Sequence, residues 1–101
     1  MAFARAAKTA DIPPGTIREV SLGGNTIALA NVGGTYHAIG GVCVHQGGPL
    51  GEGSLDGCNV ICPWHAWEYD VSTGKLVGNP EVGVERYPAE IRGEEVFVDL
   101  G

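Results

Sequence analysis

Short stretches of alternating apolar and polar residues, separated by glycine-rich turns, fill most of this 101-residue chain. The alternation over 16–22 favours a β-strand with one buried face. A Gly-Gly-Asn sequence follows and predicts a hairpin turn into a second strand over 26–32, and another Gly-Gly pair leads into a third strand over 35–39. The first half of the chain is therefore predicted to be a meander of short antiparallel strands.

The same pattern covers the remainder of the chain, and helical periodicity is weak throughout. An edge strand is predicted over 3–7, and Pro and Gly predict a turn over 11–15. The other predicted elements are inner strands within 54–61 that turn at Asp56-Gly57, a strand over 67–71, a turn over 72–75, and a closing hairpin of strands 84–91 and 96–100 around Arg92-Gly93-Glu94. We therefore expect an all-β fold, an antiparallel β-sandwich or barrel.

Composition limits the size and the partners of the molecule. A chain of this length is expected to form one domain, 1–101, with a single modest core. Seventeen glycines and six prolines fit many short strands better than long helices. The net charge of −6 argues against nucleic acid as a partner, since a basic surface would be expected. It either steers the molecule toward a basic patch on a partner or only keeps it soluble.

No segment is apolar over the length needed to cross a bilayer, so we expect no membrane association. The N-terminal residues 1–10 contain scattered Arg5 and Lys8 and no continuous apolar stretch, unlike a secretory signal. The chain is therefore expected to be soluble.

Two Cys/His pairs are the strongest chemical signal in the sequence. Cys43 and His45 are separated by one residue, Cys62 and His65 by two, and sixteen residues lie between the pairs. This set fits a [2Fe–2S] cluster in which one iron takes two Cys and the other takes two His. Two neutral imidazoles in place of thiolates make such a cluster less negative and raise its reduction potential.

The same four residues could instead bind structural zinc, or the two cysteines could form a disulfide. A Cys₂His₂ set also suits structural zinc, but zinc fingers usually pair Cys with Cys and His with His, the His pair lying on a helix. A zinc-stabilised binding module is thus the weaker alternative. A disulfide between Cys43 and Cys62 would leave His45 and His65 unexplained.

The runs Cys43-Val44-His45-Gln46-Gly47-Gly48-Pro49-Leu50 and Cys62-Pro63-Trp64-His65 resemble those of Rieske proteins, and more narrowly the small soluble Rieske ferredoxins of bacterial aromatic-ring dioxygenases. The resemblance implies a Rieske-type β-sandwich or barrel with a small cluster-binding subdomain, about 42–67, formed by two ligand loops. It also implies one [2Fe–2S] cluster per chain, bound by Cys43, His45, Cys62 and His65.

The resemblance further implies a one-electron carrier, not an enzyme. Its partners would be a flavin-dependent ferredoxin reductase and a terminal oxygenase, which would dock transiently on a monomer at the face of His45 and His65. An alternative is a small Rieske subunit of a larger reductase, such as an assimilatory nitrite reductase. A complete Rieske oxygenase is not expected, because only His37 remains for the second iron site that it requires.

The residues expected around the cluster predict a reduction potential of about −150 mV, which is low for a Rieske centre. Gly48 and Trp64 stand where high-potential members have two disulfide-forming cysteines. Trp67 stands at the position of a serine that bonds a cluster sulfide in those proteins, and fewer hydrogen bonds to sulfur lower the potential. Tyr69 matches a tyrosine that bonds a ligand cysteine and would raise it. Packing in the core is the alternative role for Tyr69.

The resemblance also implies roles for residues outside the ligand set. Gln46 is expected beside the cluster. Pro80 lies in the segment that corresponds to a proline-containing loop, which covers the cluster in Rieske proteins. His37 is expected to be an ordinary strand residue. Cys58 is the one rival ligand, although burial as a small apolar residue suits it better. With two cysteines on metal, Cys58 has no disulfide partner, which favours a reducing cytoplasm.

Overall fold

The computed structural model describes residues 3–43, 47–64 and 66–100. Most of them lie in short β-strands, and two 3₁₀ helices cover Thr9–Asp11 and Leu50–Glu52. The strands are β1 (Phe3–Lys8), β2 (Thr16–Leu22), β3 (Asn25–Val32), β4 (Thr35–Gly40), β5 (Ser54–Asp56), β6 (Asn59–Ile61), β7 (Glu68–Asp70), β8 (Lys75–Leu76), β9 (Asn79–Gly83), β10 (Arg86–Tyr87), β11 (Ala89–Arg92) and β12 (Glu95–Asp99).

Among the described residues, all strand pairs are antiparallel, and the strands form three sheets. The four-stranded sheet has the order β10-β4-β3-β2, the three-stranded sheet β1-β12-β11, and the five-stranded sheet β5-β6-β7-β8-β9. The predicted all-β antiparallel architecture is confirmed. Within the described ranges, no helix is long and apolar enough to cross a bilayer.

The central strand β3 is buried on both faces and so separates two apolar clusters. Ile27 and Leu29 on one face pack with Val96 and Val98 of the three-stranded sheet. Ala28 and Ala30 on the other face pack with residues of the five-stranded sheet, including Val60, Tyr69 and Val71. The four-stranded sheet is therefore the middle layer of the molecule, with the five-stranded sheet on one side and the three-stranded sheet on the other.

The two predicted glycine hairpins form as expected. Leu22 pairs with Asn25 and Val32 pairs with Thr35, so each turn has two residues. All four turn glycines, at 23, 24, 33 and 34, have positive φ angles, as a tight hairpin between twisted strands requires. These turns fix the register of β2, β3 and β4, from whose end the first candidate loop departs.

The predicted single strand over 84–91 is wrong. Residues 86–87 pair with β4 in the four-stranded sheet, whereas residues 89–92 pair with β12 in the three-stranded sheet. Pro88 lies between them and has no N–H to donate. Its carbonyl instead accepts the N–H of Asp99 at 2.9 Å. The chain therefore changes sheets at this proline.

The five-stranded sheet carries the second predicted ligand loop between β6 and β7. The strands of this sheet extend from Ser54 to Gly83, so the sheet continues beyond residue 67, where the cluster-binding subdomain was predicted to end. Strand β9, which includes Pro80, occupies the segment predicted as a covering loop.

Candidate metal centre

The first loop, residues 43–48, follows the middle layer directly. Gly41 donates its N–H to Thr26 O of β3 at 2.9 Å, and its carbonyl accepts the N–H of Leu50 at 2.9 Å. Between these anchors, Cys43 N–H donates to Gly48 O at 2.8 Å, and Gly47 N–H donates to Cys43 O at 3.0 Å. Both ends of the loop are therefore held beside the end of β4, where Gly41 bonds to Thr26 and to Leu50.

The second loop, residues 62–67, repeats this backbone arrangement. Cys62 N–H donates to Trp67 O at 2.8 Å, and Ala66 N–H donates to Cys62 O at 3.0 Å. Each loop therefore closes between a cysteine and the residues four and five positions later. The residue four positions later has a left-handed backbone in both, with φ +73° at Gly47 and +58° at Ala66. Two matched loops present one cysteine each.

Both cysteines are buried free thiols in one apolar cluster. Cys43 is 2 % exposed and Cys62 is 1 % exposed. Tyr69 is fully buried, and its hydroxyl lies 3.1 Å from Cys43 Sγ. A phenol donates a hydrogen bond and a thiolate accepts it, so this contact fits a metal-bound sulfur at Cys43. Of the two cysteines proposed as partners of Tyr69, the structure brings Cys43 to it.

Gly48 of the first loop lies close to the second loop. A Cβ atom placed on it would lie 2.7 Å from Cys62 Sγ and 3.2 Å from Trp64 Cγ. The two positions at which high-potential relatives are expected to carry disulfide cysteines are thus in contact, and a glycine–tryptophan pair occupies them. Trp64 is 57 % exposed, so its indole covers Gly48 and leaves its other side open to solvent. Trp67 packs against the apolar cluster instead.

Three of the predicted site residues, His45, Gln46 and His65, lie outside the described residues. Pro80 is exposed in β9, where it lines an open groove with Thr73 and Lys75. The roles of all four stay predictions.

The rival ligand Cys58 lies in the turn between β5 and β6 and points to another partner. Its Sγ donates to Asp70 Oδ1 at 3.6 Å. Asp70 also accepts hydrogen bonds from the Ser72 hydroxyl and N–H, at 2.6 and 2.9 Å. The Ser72 hydroxyl bond is the largest of the causes that hold the pKa of Asp70 below its usual value of 3.8.

His37 lies on β4 opposite Ala30, on the face of the middle layer that packs against the five-stranded sheet. Burial is the main reason that its pKa lies below 6.5. The positive charge of Arg86 lowers the pKa further, and the carboxylate of Asp70 raises it. No sequence pattern connects His37, Asp70 and Arg86, because they lie on three strands that are distant in the chain.

The donor set fits an iron–sulfur cluster. Two cysteine sulfurs lie in an apolar, water-excluding cluster of residues, and a phenol hydroxyl lies beside one of them. Such surroundings suit sulfur ligands of a redox centre, since hydrogen bonds to sulfur and solvent exclusion set its potential.

Comparison with known protein families and sequences gives a consistent result. The family described as the Rieske [2Fe-2S] domain matches residues 2–88. The ferredoxin component of a naphthalene 1,2-dioxygenase system from Pseudomonas aeruginosa is 33 % identical over 91 residues, 89 % of this chain and 88 % of that protein. Human apoptosis-inducing factor 3 is 37 % identical over 89 residues, but the chain spans only 15 % of its length.

Solved structures agree. The ferredoxin of carbazole 1,9a-dioxygenase from Nocardioides aromaticivorans IC177 superposes with a TM-score of 0.88 at 26 % identity, over 97 % of each chain. A chain in a complex of oxygenase and ferredoxin in carbazole 1,9a-dioxygenase gives 0.85 at 33 % identity, over 95 % of this chain and 91 % of that one. A protein described as a small subunit of an NADH-dependent nitrite reductase from Mycobacterium tuberculosis gives 0.87 at 25 % identity, over 96 % and 93 %.

Proposed function

Because this chain belongs to the Rieske [2Fe–2S] domain family, we propose that it passes single electrons from a flavin-dependent ferredoxin reductase to a terminal oxygenase. One [2Fe–2S] cluster per chain would be bound by Cys43, His45, Cys62 and His65 and would supply the one-electron chemistry. The observation that carries the proposal is the pair of matched loops, each with a cysteine buried in one apolar cluster, together with the Tyr69 hydroxyl 3.1 Å from Cys43 Sγ.

The described residues have separate tasks in this carrier. Cys43 and Cys62 provide sulfur ligands on the buried side, where the apolar cluster excludes water. With the sulfur of Cys43 bound to iron, the Tyr69 hydroxyl 3.1 Å away would donate a hydrogen bond to it and so favour the more negative, reduced state. Gly48 leaves room for Cys62 Sγ and lets the two loops approach.

Exposed apolar side chains mark the docking face. Val42, Trp64 and Val77 are 51 %, 57 % and 47 % exposed. Val42 lies beside Gly47, and Trp64 lies over Gly48. Val77 lines a shallow recess with Ala66 of the second loop. These three residues, which we call the apolar rim, each lie in or beside one of the two loops and would contact a partner at the short distance that electron transfer needs.

Charge around the apolar rim favours a basic partner surface. Segment 41–83 holds five carboxylates and one lysine, which is four of the six net negative charges of the chain. A partner with an apolar recess bordered by lysine and arginine would match it, and such charges speed association at low salt. A solved complex of oxygenase and ferredoxin in carbazole 1,9a-dioxygenase supports binding to an oxygenase as the role of such a chain.

The first experiment is to express the protein with ample iron and to record its absorption and low-temperature EPR before and after dithionite. A red-brown protein that becomes EPR-active on reduction, with the low average g of His-ligated iron, supports the proposal. A colourless protein with stoichiometric zinc, which also fails to take up a cluster on reconstitution, would contradict it and leave a structural module.

Ligation by His45 and His65 has its own test. Loss of a ring proton becomes easier when a metal-bound imidazole carries the charge of the oxidised state. The reduction potential is therefore expected to fall with rising pH in the alkaline range. A potential that stays constant from neutral to strongly alkaline pH would argue against exposed imidazole ligands.

Docking is tested with Trp64→Ala, which shortens the apolar rim. We expect slower reduction of the terminal oxygenase of a naphthalene 1,2-dioxygenase system and an unchanged reduction potential. Ile91→Ala is the matched control, because Ile91 is 49 % exposed but lies on the three-stranded sheet. Equal rates for both variants would place the docking face elsewhere.

A second candidate function is that of a small subunit of a larger reductase, and the likeness to the nitrite reductase small subunit favours it. Stable co-purification with a large partner would support this role, whereas a freely separating monomer supports the transient carrier. We also propose a cytoplasmic location, since all three cysteines are free thiols.

A further inference from the structure

Asp70, a partly buried residue at the end of β7, makes several hydrogen bonds. Its Oδ1 accepts from Cys58 Sγ and from the N–H and hydroxyl of Ser72. Its backbone carbonyl accepts the N–H groups of Thr73 and Gly74, at 3.2 and 2.7 Å. Side chain and main chain of one residue thus close the turn that ends β7.

This turn is also bonded to the middle layer. Arg86 Nε donates to Ser72 O at 2.8 Å, and Val84 N–H donates to Gly74 O at 2.8 Å. Gly74 lies so close to the chain at Val84 that a Cβ atom on it would be 2.4 Å from Val84 O. The turn after Asp70 therefore fixes the five-stranded sheet to the segment that enters the four-stranded sheet.

Tyr69 directly precedes Asp70 on a strand of only three residues. Strand β7 pairs with β6 at three positions, and with β8 at the single pair Tyr69–Leu76. Such a short strand has few ladder bonds to hold it, so the residues at its end control its position. The Tyr69 hydroxyl is at the far end of a long side chain, and a small rotation of β7 would move it away from Cys43 Sγ.

We propose that Asp70 is a positioning residue of the electron carrier: by closing the turn after β7 it keeps the Tyr69 hydroxyl on Cys43 Sγ and so helps to set the reduction potential. The inference rests on the proposed function, because it requires a redox group on Cys43. It adds a residue that touches neither a proposed ligand nor a partner.

The test compares the reduction potentials of two substitutions in the iron-loaded protein. Asp70→Ala removes the acceptor, so we expect a weaker Tyr69–Cys43 hydrogen bond and a reduced state disfavoured about fivefold, which lowers the potential by about 40 mV at 59 mV per tenfold change. Asp70→Asn keeps an oxygen acceptor for Ser72 and removes the charge. It is expected to shift the potential by less than half as much.

The sign of the shift separates positioning from a direct charge effect. Removing a nearby negative charge favours the reduced state and would raise the potential in both variants. A rise in the potential of Asp70→Ala, or no change, would therefore overturn the proposal.

The second part of the test is the same substitution in a Tyr69→Phe background. If Asp70 acts through Tyr69, Asp70→Ala shifts the potential of that background by little or nothing. A full shift there would show another route and reject the proposal.

Ser72→Ala covers the case in which Asp70→Ala does not retain iron. It removes the 2.6 Å hydrogen bond to Asp70 and keeps the carboxylate, so the potential should fall by a smaller amount. An unchanged potential in Ser72→Ala would then count against the inference. The wild-type EPR spectrum tests the electron-carrier proposal separately, so the two can fail independently.

Discussion

The two loops of the candidate metal centre share a backbone and differ in almost everything around it. Each closes with hydrogen bonds from a cysteine to the residues four and five positions later. The first does so with glycines at 47 and 48, whereas the second uses Ala66 and Trp67. The same local geometry is therefore reached with unlike side chains.

The difference lies in what surrounds each sulfur. Cys43 has a phenol hydroxyl at 3.1 Å, whereas Cys62 lies against Gly48 and beside Trp64. One ligand environment is thus polar and suited to adjusting charge, and the other is steric and suited to bringing the loops together. The comparison teaches that two loops with matching backbone hydrogen bonds do not need matching surroundings, and substitutions at each loop should have different effects.

The largest expected effect tests which cysteines bind iron. Cys62→Ala should abolish iron binding and visible absorption, because it removes a sulfur ligand. Cys58→Ala should retain both, since Cys58 Sγ faces Asp70. Iron content per chain measures the difference. Loss of iron in Cys58→Ala together with retention in Cys62→Ala would reverse the ligand assignment.

Gly48→Ala tests the steric side of the comparison. The added Cβ would lie 2.7 Å from Cys62 Sγ, and overpacking of this kind costs about 1–3 kcal/mol. We expect a lower thermal midpoint and partial loss of iron. The comparison is Gly47→Ala, where the nearest atom to a Cβ is Val42 Cγ1 at 3.8 Å, so that its cost comes from the left-handed backbone and its iron should be retained. If Gly48→Ala keeps as much iron as Gly47→Ala, the close approach to Cys62 Sγ is not important.

Gly47 and Ala66 occupy the matching left-handed positions of the two loops, and each can be replaced by the residue of the other loop. An L-residue there costs about 1–2 kcal/mol, and the greater freedom of unfolded glycine offsets part of it. Ala66→Gly is therefore expected to raise the free energy of unfolding by about 0.5–1 kcal/mol, and Gly47→Ala to lower it similarly. Thermal denaturation measures both. Shifts of the same sign would mean that the loops are not equivalent in backbone strain.

The smallest expected effect is on pH dependence, and it concerns the face where His37 of β4 lies near Asp70 at the end of β7. The pKa of His37 is lowered in the folded state, so unfolding takes up a proton. Stability is full above pH 6.5 and falls as the pH drops through the lowered pKa. Asp70, whose pKa is also lowered, adds a further loss below pH 3.8.

Amide hydrogen exchange between pH 7 and 5 checks this prediction. Protection of the Val77 N–H, which bonds Glu68 O at 2.9 Å, should decrease more than that of the Gly41 N–H beside the first loop. The His37→Gln variant should show a smaller difference between the two sites. Equal changes at both sites in the wild type would indicate that acid acts on the whole fold.

Much of this arrangement was predictable because it depends on local sequence. Glycine pairs fixed the hairpins of β2, β3 and β4, and the spacing of cysteine and histidine indicated the two loops. The break at Pro88 was missed because the choice between two sheets is made by packing. The part played by Asp70 was missed too, since Arg86 reaches its turn from another strand. Which cysteine Tyr69 would reach also depended on how β7 packs on the rest of the fold.

The pairing of β1 with β12 has a consequence for how this fold is used in larger proteins. Phe3 and Asp99 are direct neighbours in the three-stranded sheet, on the side of the middle layer opposite the two loops. A longer chain can therefore enter and leave the domain at almost one point, with little loop-closure cost. The domain can be inserted into or fused with other proteins as a module whose redox end stays free. Its match to a small part of human apoptosis-inducing factor 3 fits that modularity.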